Sequence, residues 1–325
     1  MSSRILVLLN PQSGSLQKRG GLLDEVLAHD ALDGADVRMI TDPDALATAA
    51  AAARGADHTW VIAGGGDGTI HAVVNGLLRD GADGSGSLPR LGVLPLGTAN
   101  DFARTLGVHD VTEALDAIAA ARSRPDRPQE RADPTQARLV ASDLIRVSFD
   151  GGRPEYVTNI CVAGFGGDVQ EEVTPEIKEG WGPLAYVRGG LGAFEGEGYA
   201  ATLEIDGQPP RETKFFNLAA SNGRYSGGGI PIAPRAEVDD GSIDVVIIEP
   251  VHFTGLAALA PLIARGHHLE SEHVHYQTAG RIRISSDEPM HYSLDGDAWT
   301  GRVVDVEVVE GALRMARGPD PAEDG

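Results

Sequence analysis

The sequence contains one cysteine, Cys161, so no disulfide can form within the chain. It also lacks an apolar run long enough to span a membrane, since the longest candidate, 253–264, is short and contains Pro261. The first residues lack the long apolar core and small-residue cleavage site of an export signal. These absences predict a cytoplasmic protein without a membrane-spanning segment.

Basic residues are few as well. Lys and Arg number 27 against 48 Asp and Glu, which gives a formal net charge of −21. This balance argues against nucleic-acid binding and weakens simple electrostatic docking onto anionic lipid. What is present is an ordinary apolar fraction of 42%, enough for hydrophobic cores. The length of 325 residues favours two domains.

The first part of the chain alternates strand and helix patterns, which predicts a Rossmann-like α/β domain. Continuous apolar runs are typical of parallel strands that are covered on both faces. The predicted strands are 4–9, 37–41, 59–63 and 91–94. Loops that follow such strands lie at the edge of the sheet where open α/β sheets bind ligands.

The loop from Gly64 to Thr69 follows one of these strands and leads into a helical pattern that continues to Arg79. Its glycines leave backbone N–H groups accessible at a helix N-terminus, an arrangement that favours phosphate. Asp67 is informative because a carboxylate beside phosphate requires a cation such as Mg²⁺ between them. The alternative is a glycine turn that only joins a strand to a helix.

A second polar loop follows the strand at 91–94 and contains Thr98, Asn100 and Asp101. It again joins a strand to the start of a helix. Taken by itself, this loop favours capping of that helix by Asn100 or Asp101.

The segment 121–138 is rich in arginine and proline and predicts the boundary between two domains, 1–132 and 133–310. Short β-branched and aromatic runs separated by turn residues follow, which predicts an antiparallel β-sandwich. Helical patterns interrupt it at 175–194 and 254–268, and the tail 319–325 is expected to be disordered.

Several motifs that are separated along the chain indicate the same protein family. They are Asn10-Pro11-x-Ser13-Gly14, Gly65-Gly66-Asp67-Gly68-Thr69, Pro95-Leu96-Gly97-Thr98-x-Asn100-Asp101-Phe102-Ala103, Gly164-Phe165-Gly166-x-Asp168, Asn222-Gly223 with Gly227-Gly228-Gly229, Asp240-Gly241-Ser242-Ile243-Asp244, and Leu294-Asp295-Gly296. Together they resemble the bacterial diacylglycerol kinase-like lipid kinases, a group related to sphingosine kinases. A bare Gly-Gly-Asp-Gly also occurs in NAD kinase and phosphofructokinase, whereas the Gly-Thr-x-Asn-Asp-Phe-Ala run is more specific.

The resemblance implies an α/β nucleotide domain, a β-sandwich, and an active site in the cleft between them. It also implies that the segment 311–318 returns to complete the first domain. The residues expected to hold ATP are Asn10, Ser13, Gly64, Gly65, Gly66, Asp67, Gly68, Thr69 and Thr98. Asp67 and Asp101 are expected to act on a catalytic Mg²⁺, because phosphoryl transfer depends on positioning and charge neutralisation.

By the same resemblance, Asp295 is the base that deprotonates the acceptor hydroxyl. The alternative is an ordinary Asp-Gly hairpin turn. Asp297 stands where the family has glutamate, which leaves the role of that position open.

Two further sites follow from the resemblance. Asp240 is expected to bind a structural Mg²⁺ together with backbone carbonyls of Glu237 and Ser242, and the alternative is a β-turn. Asp168 is expected to contact the acceptor headgroup, and the alternative is a cap of the helix that follows Gly166 and Gly167.

The resulting expectation is an ATP- and Mg²⁺-dependent kinase of diacylglycerol or a related lipid alcohol that contacts the inner membrane face transiently. A homodimer is compatible with it, and no nucleic-acid partner is expected. A soluble NAD kinase-like enzyme and a non-catalytic nucleotide- or lipid-binding regulator are the competing hypotheses.

Overall fold

The computed structural model describes residues 4–54, 58–79, 88–123, 133, 135–172 and 198–319. The chain folds into two compact units, a first unit of residues 1–142 with 311–325 and a second unit of residues 143–310. The predicted helix at 175–194 and the residues 320–325 of the predicted tail lie outside the described residues. No helix among the described residues is long and apolar enough to cross a membrane.

The first unit contains a parallel sheet. Its strands are β1 (Arg4–Leu9), β2 (Asp36–Met39), β3 (His58–Gly65) and β4 (Arg90–Pro95), in the order β2-β1-β3-β4. The end of the last strand of the chain, β14 (Asp297–Arg317), adds to it in parallel, with Met315 opposite Leu91. Strands β1, β3 and β4 are almost wholly buried, which is why they appear in the sequence as continuous apolar runs.

The helices of the first unit follow these strands. They are α1 (Gly14–Lys18), α2 (Leu22–Leu27), α3 (Pro43–Ala53), α4 (Asp67–Leu77), α5 (Asp101–Thr105) and α6 (Val111–Ser123), with a 3-10 turn at Asp30–Leu32. The helical pattern after Ser15 is broken into short pieces because Gly21 adopts a positive φ of 83° between α1 and α2. Asp42 caps α3 as its sequence suggests, since its Oδ1 accepts the Ala45 N–H at 2.7 Å.

The second unit consists mainly of antiparallel strands. They are β5 (Arg138–Phe149), β6 (Glu155–Val157), β7 (Ile160–Gly164), β8 (Tyr199–Ile205), β9 (Arg211–Phe215), β10 (Asn217–Ser221), β11 (Ile243–Ile248), β12 (Val274–Ala279) and β13 (Arg281–Leu294). The main order is β12-β11-β10-β7-β13, and β13 also pairs with β14 and β8. The segments 281–285 and 290–294 form one strand, β13, whose register shifts between Ser285 and Met290.

Two helices of the second unit are described, α7 (Phe165–Glu172) and α8 (Phe253–Ala264), with a 3-10 turn at His268–Glu270. Strands β7, β10 and β11 are buried on both faces, so alternate residues enter different cores. Cys161 and Ala163 of β7 belong to the sandwich core, whereas Ile160 and Val162 belong to a second core that includes Leu259 of α8. This two-sided burial explains why apolar residues do not alternate with polar ones in these strands.

Candidate active site

Three loops of the first unit, those after β1, β3 and β4, are joined by backbone hydrogen bonds. The Asn10 N–H donates to the Gly64 carbonyl at 2.9 Å, and the Leu96 N–H donates to the Gly65 carbonyl at 3.0 Å. The Ser15 N–H in turn donates to the Leu96 carbonyl at 2.9 Å. All three loops follow the carboxyl ends of parallel strands, the edge at which open α/β sheets bind ligands.

Gly66 and Gly97 bring two of these loops into direct backbone contact. A Cβ atom built on Gly97 would lie 2.3 Å from the Gly66 Cα, so a side chain cannot be accommodated at Gly97 without movement. Asn100, at a positive φ of 53°, holds this turn, since its side-chain amide accepts the Gly97 N–H and donates to the Gly97 carbonyl. Close backbone approach is therefore built into the site.

Substitution of Gly97 by alanine is expected to lower the melting temperature, because the new Cβ must push the two loops apart. Overpacking of this kind costs about 1–3 kcal/mol. The control is Gly68→Ala, because a Cβ at Gly68 meets nothing within 4 Å. Gly68 lies inside α4, where alanine stabilises a helix by about 1 kcal/mol over glycine. Thermal unfolding of both variants checks the prediction, and an equal melting temperature for the two would contradict it.

The remaining predicted nucleotide residues line the same loops. Ser13 is buried, and its Oγ has no hydrogen-bond partner among the described residues. Beside it, a Cβ on Gly14 would lie 2.9 Å from the Thr98 Oγ1. Thr69 is buried and lies against Gly65. A buried hydroxyl without a partner is costly, so a ligand that accepts a hydrogen bond at Ser13 would be stabilising.

Asp67 connects the loop after β3 to α5. Its Oδ1 accepts the Phe102 N–H at 3.1 Å and its Oδ2 accepts the Asp101 N–H at 3.2 Å. Asp67 thus caps α5. The sequence-based expectation that Asn100 caps this helix is wrong, since its side chain makes no capping hydrogen bond, and Asp101 is the first residue of the helix and not the one before it. The reason is tertiary, because the capping carboxylate comes from a loop that is 34 residues away in sequence. Asp101 itself is buried.

In the second unit, Asp295 occupies the two-residue turn between β13 and β14. Leu294 pairs with Asp297, and the intervening Asp295 and Gly296 have positive φ angles of 48° and 100°. Two positive φ angles are characteristic of the type I′ hairpin turn that Asp-Gly favours. The turn alternative is therefore realised in the backbone.

The Asp295 carboxylate accepts at least four hydrogen bonds. Its Oδ2 accepts the N–H and the hydroxyl of Thr158, both at 2.8 Å, and its Oδ1 accepts the N–H groups of Asn159 and Ile160 at 2.9 and 3.0 Å. Three of these donors are backbone groups at the turn between β6 and β7. The Thr158 hydroxyl is the one side chain among the four, so it is the donor that can rotate away.

Sequence reasoning missed Thr158 and Asn159, because 156–163 resembles one uninterrupted strand. The signal available was a polar Thr-Asn pair in the middle of an apolar run. Asn159 also donates from Nδ2 to the Tyr225 carbonyl at 2.7 Å, while its Oδ1 is buried without a partner among the described residues. The pKa of the neighbouring Cys161 is raised to about 12, mainly by burial and further by the charge of Asp295. This thiol is therefore unreactive.

Asp168 lies in the first turn of α7, which begins at Phe165, so it is not the residue that precedes the helix as the capping alternative required. Its carboxylate accepts a hydrogen bond from the Tyr199 hydroxyl and contacts the His291 Nδ1 at 3.1 Å. A half-exposed carboxylate oriented by two polar side chains can bind a hydroxyl-bearing ligand.

The predicted structural metal site forms a turn. The Asp240 Oδ1 accepts the N–H and the hydroxyl of Ser242 at 3.0 and 2.9 Å, and the Glu237 carboxylate pairs with Arg224. Across the described ranges, no group of three His, Cys, Asp or Glu side chains has the geometry to hold a metal ion. Mg²⁺ binding by Asp240, Glu237 and Ser242 stays a prediction.

Beside this turn, Asp244 is buried and its pKa is raised to about 6, mainly by burial and further by the charges of Asp240 and Glu237. The folded pKa exceeds the unfolded value of about 3.9, so the folded state binds this proton more tightly. The resulting stabilisation is complete below about pH 4 and is lost as the pH rises through about 6.

Asp244→Asn is therefore expected to raise the free energy of unfolding at neutral pH by about 1–3 kcal/mol. Between about pH 4 and 6, the free energy of unfolding of the variant should change less with pH than that of the wild type. The amide oxygen can still accept the Tyr276 hydroxyl, which donates to Asp244 Oδ1 at 2.8 Å. Denaturant unfolding in chelator-containing buffer measures both effects, with Asp287→Asn as the exposed-carboxylate control. An unchanged pH slope in the Asp244 variant would contradict the assignment.

Two family models match the chain. The diacylglycerol kinase catalytic domain matches residues 4–127, and the YegS C-terminal NAD kinase beta sandwich-like domain matches residues 159–317. A Xanthomonas euvesicatoria protein named "Probable lipid kinase YegS-like" is 33% identical over 93% of this chain and 89% of its own length. A Pseudomonas aeruginosa protein of the same name is 30% identical over 96% of this chain and 93% of its own length. The chain belongs to the YegS-like lipid kinase family.

Solved structures agree with the fold expected of this family. One structure from Bacillus anthracis str. Sterne covers 98% of this chain and 96% of its own, with a TM-score of 0.76 at 22% identity. The structure of a diacylglycerol kinase from the same strain covers 98% of this chain and 97% of its own, with a TM-score of 0.67 at 21% identity. The predicted α/β fold with a C-terminal antiparallel sandwich is confirmed, and family membership makes the chain a kinase.

Proposed function

We propose that this YegS-like kinase transfers the γ-phosphate of ATP to a hydroxyl of diacylglycerol or a related lipid alcohol, with Mg²⁺ as the metal. The product is phosphatidic acid or a related phospholipid. The observation that carries the proposal is the junction of three loops in the matched kinase domain, where backbone meets backbone at Gly66 and Gly97. Helix α4 begins beside this junction, and the N-terminus of a helix favours phosphate.

In this proposal the three loops hold the nucleotide. Phosphate oxygens accept hydrogen bonds from the glycine-loop N–H groups and from the buried Ser13 hydroxyl, which has no other partner among the described residues. The full set is Asn10, Ser13, Gly64, Gly65, Gly66, Asp67, Gly68, Thr69 and Thr98. The backbone hydrogen bonds between the loops restrict their motion, so the binding groups are positioned before the ligand arrives.

Mg²⁺ fits the residues present if the phosphates and water supply most of its ligands. Each Asp67 oxygen accepts a backbone N–H, and a carboxylate oxygen that accepts a hydrogen bond can also ligate a metal ion. One or two carboxylates plus substrate phosphates are the usual protein environment of this ion. Asp67, with Asp101 nearby in α5, would hold the ion, and the ion would neutralise charge on the transferring group.

Asp295 serves as the base in this proposal. When the Thr158 side chain rotates, the hydroxyl of the acceptor takes its place on the Asp295 Oδ2, and the three backbone donors continue to hold the carboxylate in orientation. Asp168, held by Tyr199 and His291, contacts the acceptor headgroup. Access to a lipid acceptor implies transient peripheral contact with the inner face of the membrane.

The test is transfer of label from [γ-³²P]ATP by the purified protein, with Mg²⁺ and a panel of lipids in mixed micelles. NAD serves as the soluble acceptor control. A labelled phospholipid supports the proposal and names the acceptor, whereas label on NAD alone assigns the protein to the soluble kinases. ATP binding without transfer to any acceptor would support a regulator instead.

A further inference from the structure

Helix α8 (Phe253–Ala264) lies at the surface of the second unit and contains no charged residue. Leu259 is buried in the second core, and Leu256, Leu262 and Ile263 pack against that core. The opposite side of the helix is exposed and consists of Thr254, Ala257, Ala258, Pro261 and Ala264. Surface helices of soluble proteins ordinarily carry charged or polar residues on this side. The exposed side of α8 is therefore unusually compatible with an apolar environment.

The charge around α8 is also unlike that of the rest of the chain. From Pro250 to Leu269 there is no acidic residue, although the chain contains 48 Asp and Glu among 325 residues. Near the end of this stretch, Arg265 and His267 are exposed. A protein with a net charge of −21 is repelled by anionic lipid, and repulsion is weakest where carboxylates are absent.

Helix α8 and the element that bears the predicted acceptor residue pack against the same hydrophobic core. Phe165, the first residue of α7, packs against the same core cluster as Leu259 of α8. Asp168 lies one turn further along α7. The helix proposed below to contact lipid and the helix that bears Asp168 are therefore anchored in one core of the second unit.

We propose that the exposed side of α8, together with Arg265 and His267, docks onto the anionic surface of a lipid bilayer. The small apolar side chains sit at the headgroup boundary, and the basic groups at the end of the helix contact lipid phosphates. This inference rests on the proposed lipid kinase function, because it explains how an acidic enzyme reaches an acceptor held in a membrane.

The first test is flotation of the full chain with phosphatidylcholine vesicles that contain phosphatidylglycerol, compared with phosphatidylcholine alone. Ala258→Glu is expected to weaken binding to the anionic vesicles about tenfold, because it places a carboxylate against the lipid phosphates. Arg265→Ala is expected to weaken it about fivefold through loss of one basic group. The matched control is Ala52→Glu, the same change at an exposed position of α3, which should bind like wild type.

Activity separates this inference from the proposed function. With the acceptor in detergent mixed micelles, wild type and Ala258→Glu are expected to turn over equally, whereas in anionic vesicles the variant is expected to be slower. Absence of lipid phosphorylation by wild type in micelles would refute the proposed lipid kinase function. Flotation measures vesicle binding without turnover, so it tests the docking of α8 in either case. Circular dichroism and thermal unfolding establish that each variant is folded.

Three outcomes would overturn the inference. Unchanged vesicle binding by both Ala258→Glu and Arg265→Ala would remove α8 from the membrane surface. If Ala258→Glu and Ala52→Glu weaken binding to anionic vesicles equally, the cause is the net charge of the protein and not the position on α8. A change of oligomeric state in Ala258→Glu at unchanged vesicle binding, measured by analytical ultracentrifugation, would assign this side of the helix to a second copy of the chain.

Discussion

Replacement of Asp295 by asparagine is expected to lower turnover by at least about 100-fold, the usual contribution of a general base. It is also expected to reduce the free energy of unfolding by roughly 2–4 kcal/mol, because the new NH₂ group must face hydrogen-bond donors. The carboxylate accepts bonds from Thr158, Asn159 and Ile160, and asparagine retains only one accepting oxygen. Single-turnover kinetics at a temperature well below the melting transition separates the two effects.

The chain offers a matched control for this prediction in Asp206. Like Asp295, Asp206 has a positive φ, which is 50°, and is followed by a glycine. Its Oδ1 accepts the N–H groups of Gly280 and Arg281, both at 2.9 Å. Asp206→Asn should destabilise the fold and leave turnover intact. If Asp295→Asn shows wild-type turnover, Asp295 is not the base and its carboxylate serves only to hold the β6–β7 turn.

Asp67→Asn is expected to reduce turnover by about 100- to 1,000-fold, because the variant loses the negative charge that attracts the metal beside the phosphates. A stability loss of about 1 kcal/mol should accompany it, because both Asp67 oxygens accept a backbone N–H and the new NH₂ group must face one of these donors. Steady-state turnover as a function of Mg²⁺ concentration, at saturating ATP and acceptor, is the measurement.

The loss of a cap can be controlled separately, because Asp42 caps α3 through the Ala45 N–H. Asp42→Ala should lower the free energy of unfolding by about 1 kcal/mol and leave turnover unchanged. Near-wild-type turnover in Asp67→Asn, with the Mg²⁺ dependence unaltered, would remove Asp67 from the metal site and leave it as the cap of α5.

Strands β1, β3 and β4 of the first unit were predictable because their side chains face apolar neighbours on both sides of the sheet. Runs such as 4–9 and 59–63 contain the information locally. The turn at Asp295-Gly296 was predictable for a similar reason, since the positive φ angles it requires are those that Asp and Gly tolerate. Boundaries were less predictable, as in β13, where two apparent strands are one because pairing with β14 continues past a register shift.

The contacts between the site residues were not predictable in the same way. Nothing local in Asp67 indicates that it caps α5, and nothing in Thr158 indicates that it donates to Asp295, which is 137 residues away. The loops meet at Gly66 and Gly97 only because the parallel strands before them end at the same edge of the sheet.

By itself, the sequence determined the secondary-structure pattern, the turn chemistry and the motifs that identify a lipid kinase family, since each depends on short stretches of chain. Only the tertiary structure decided which donors saturate each carboxylate, which hydroxyl is left without a partner, and which side of α8 is exposed. Hydrogen bonding and burial depend on groups that are distant in sequence, and the fold alone brings these groups within about 3 Å of one another.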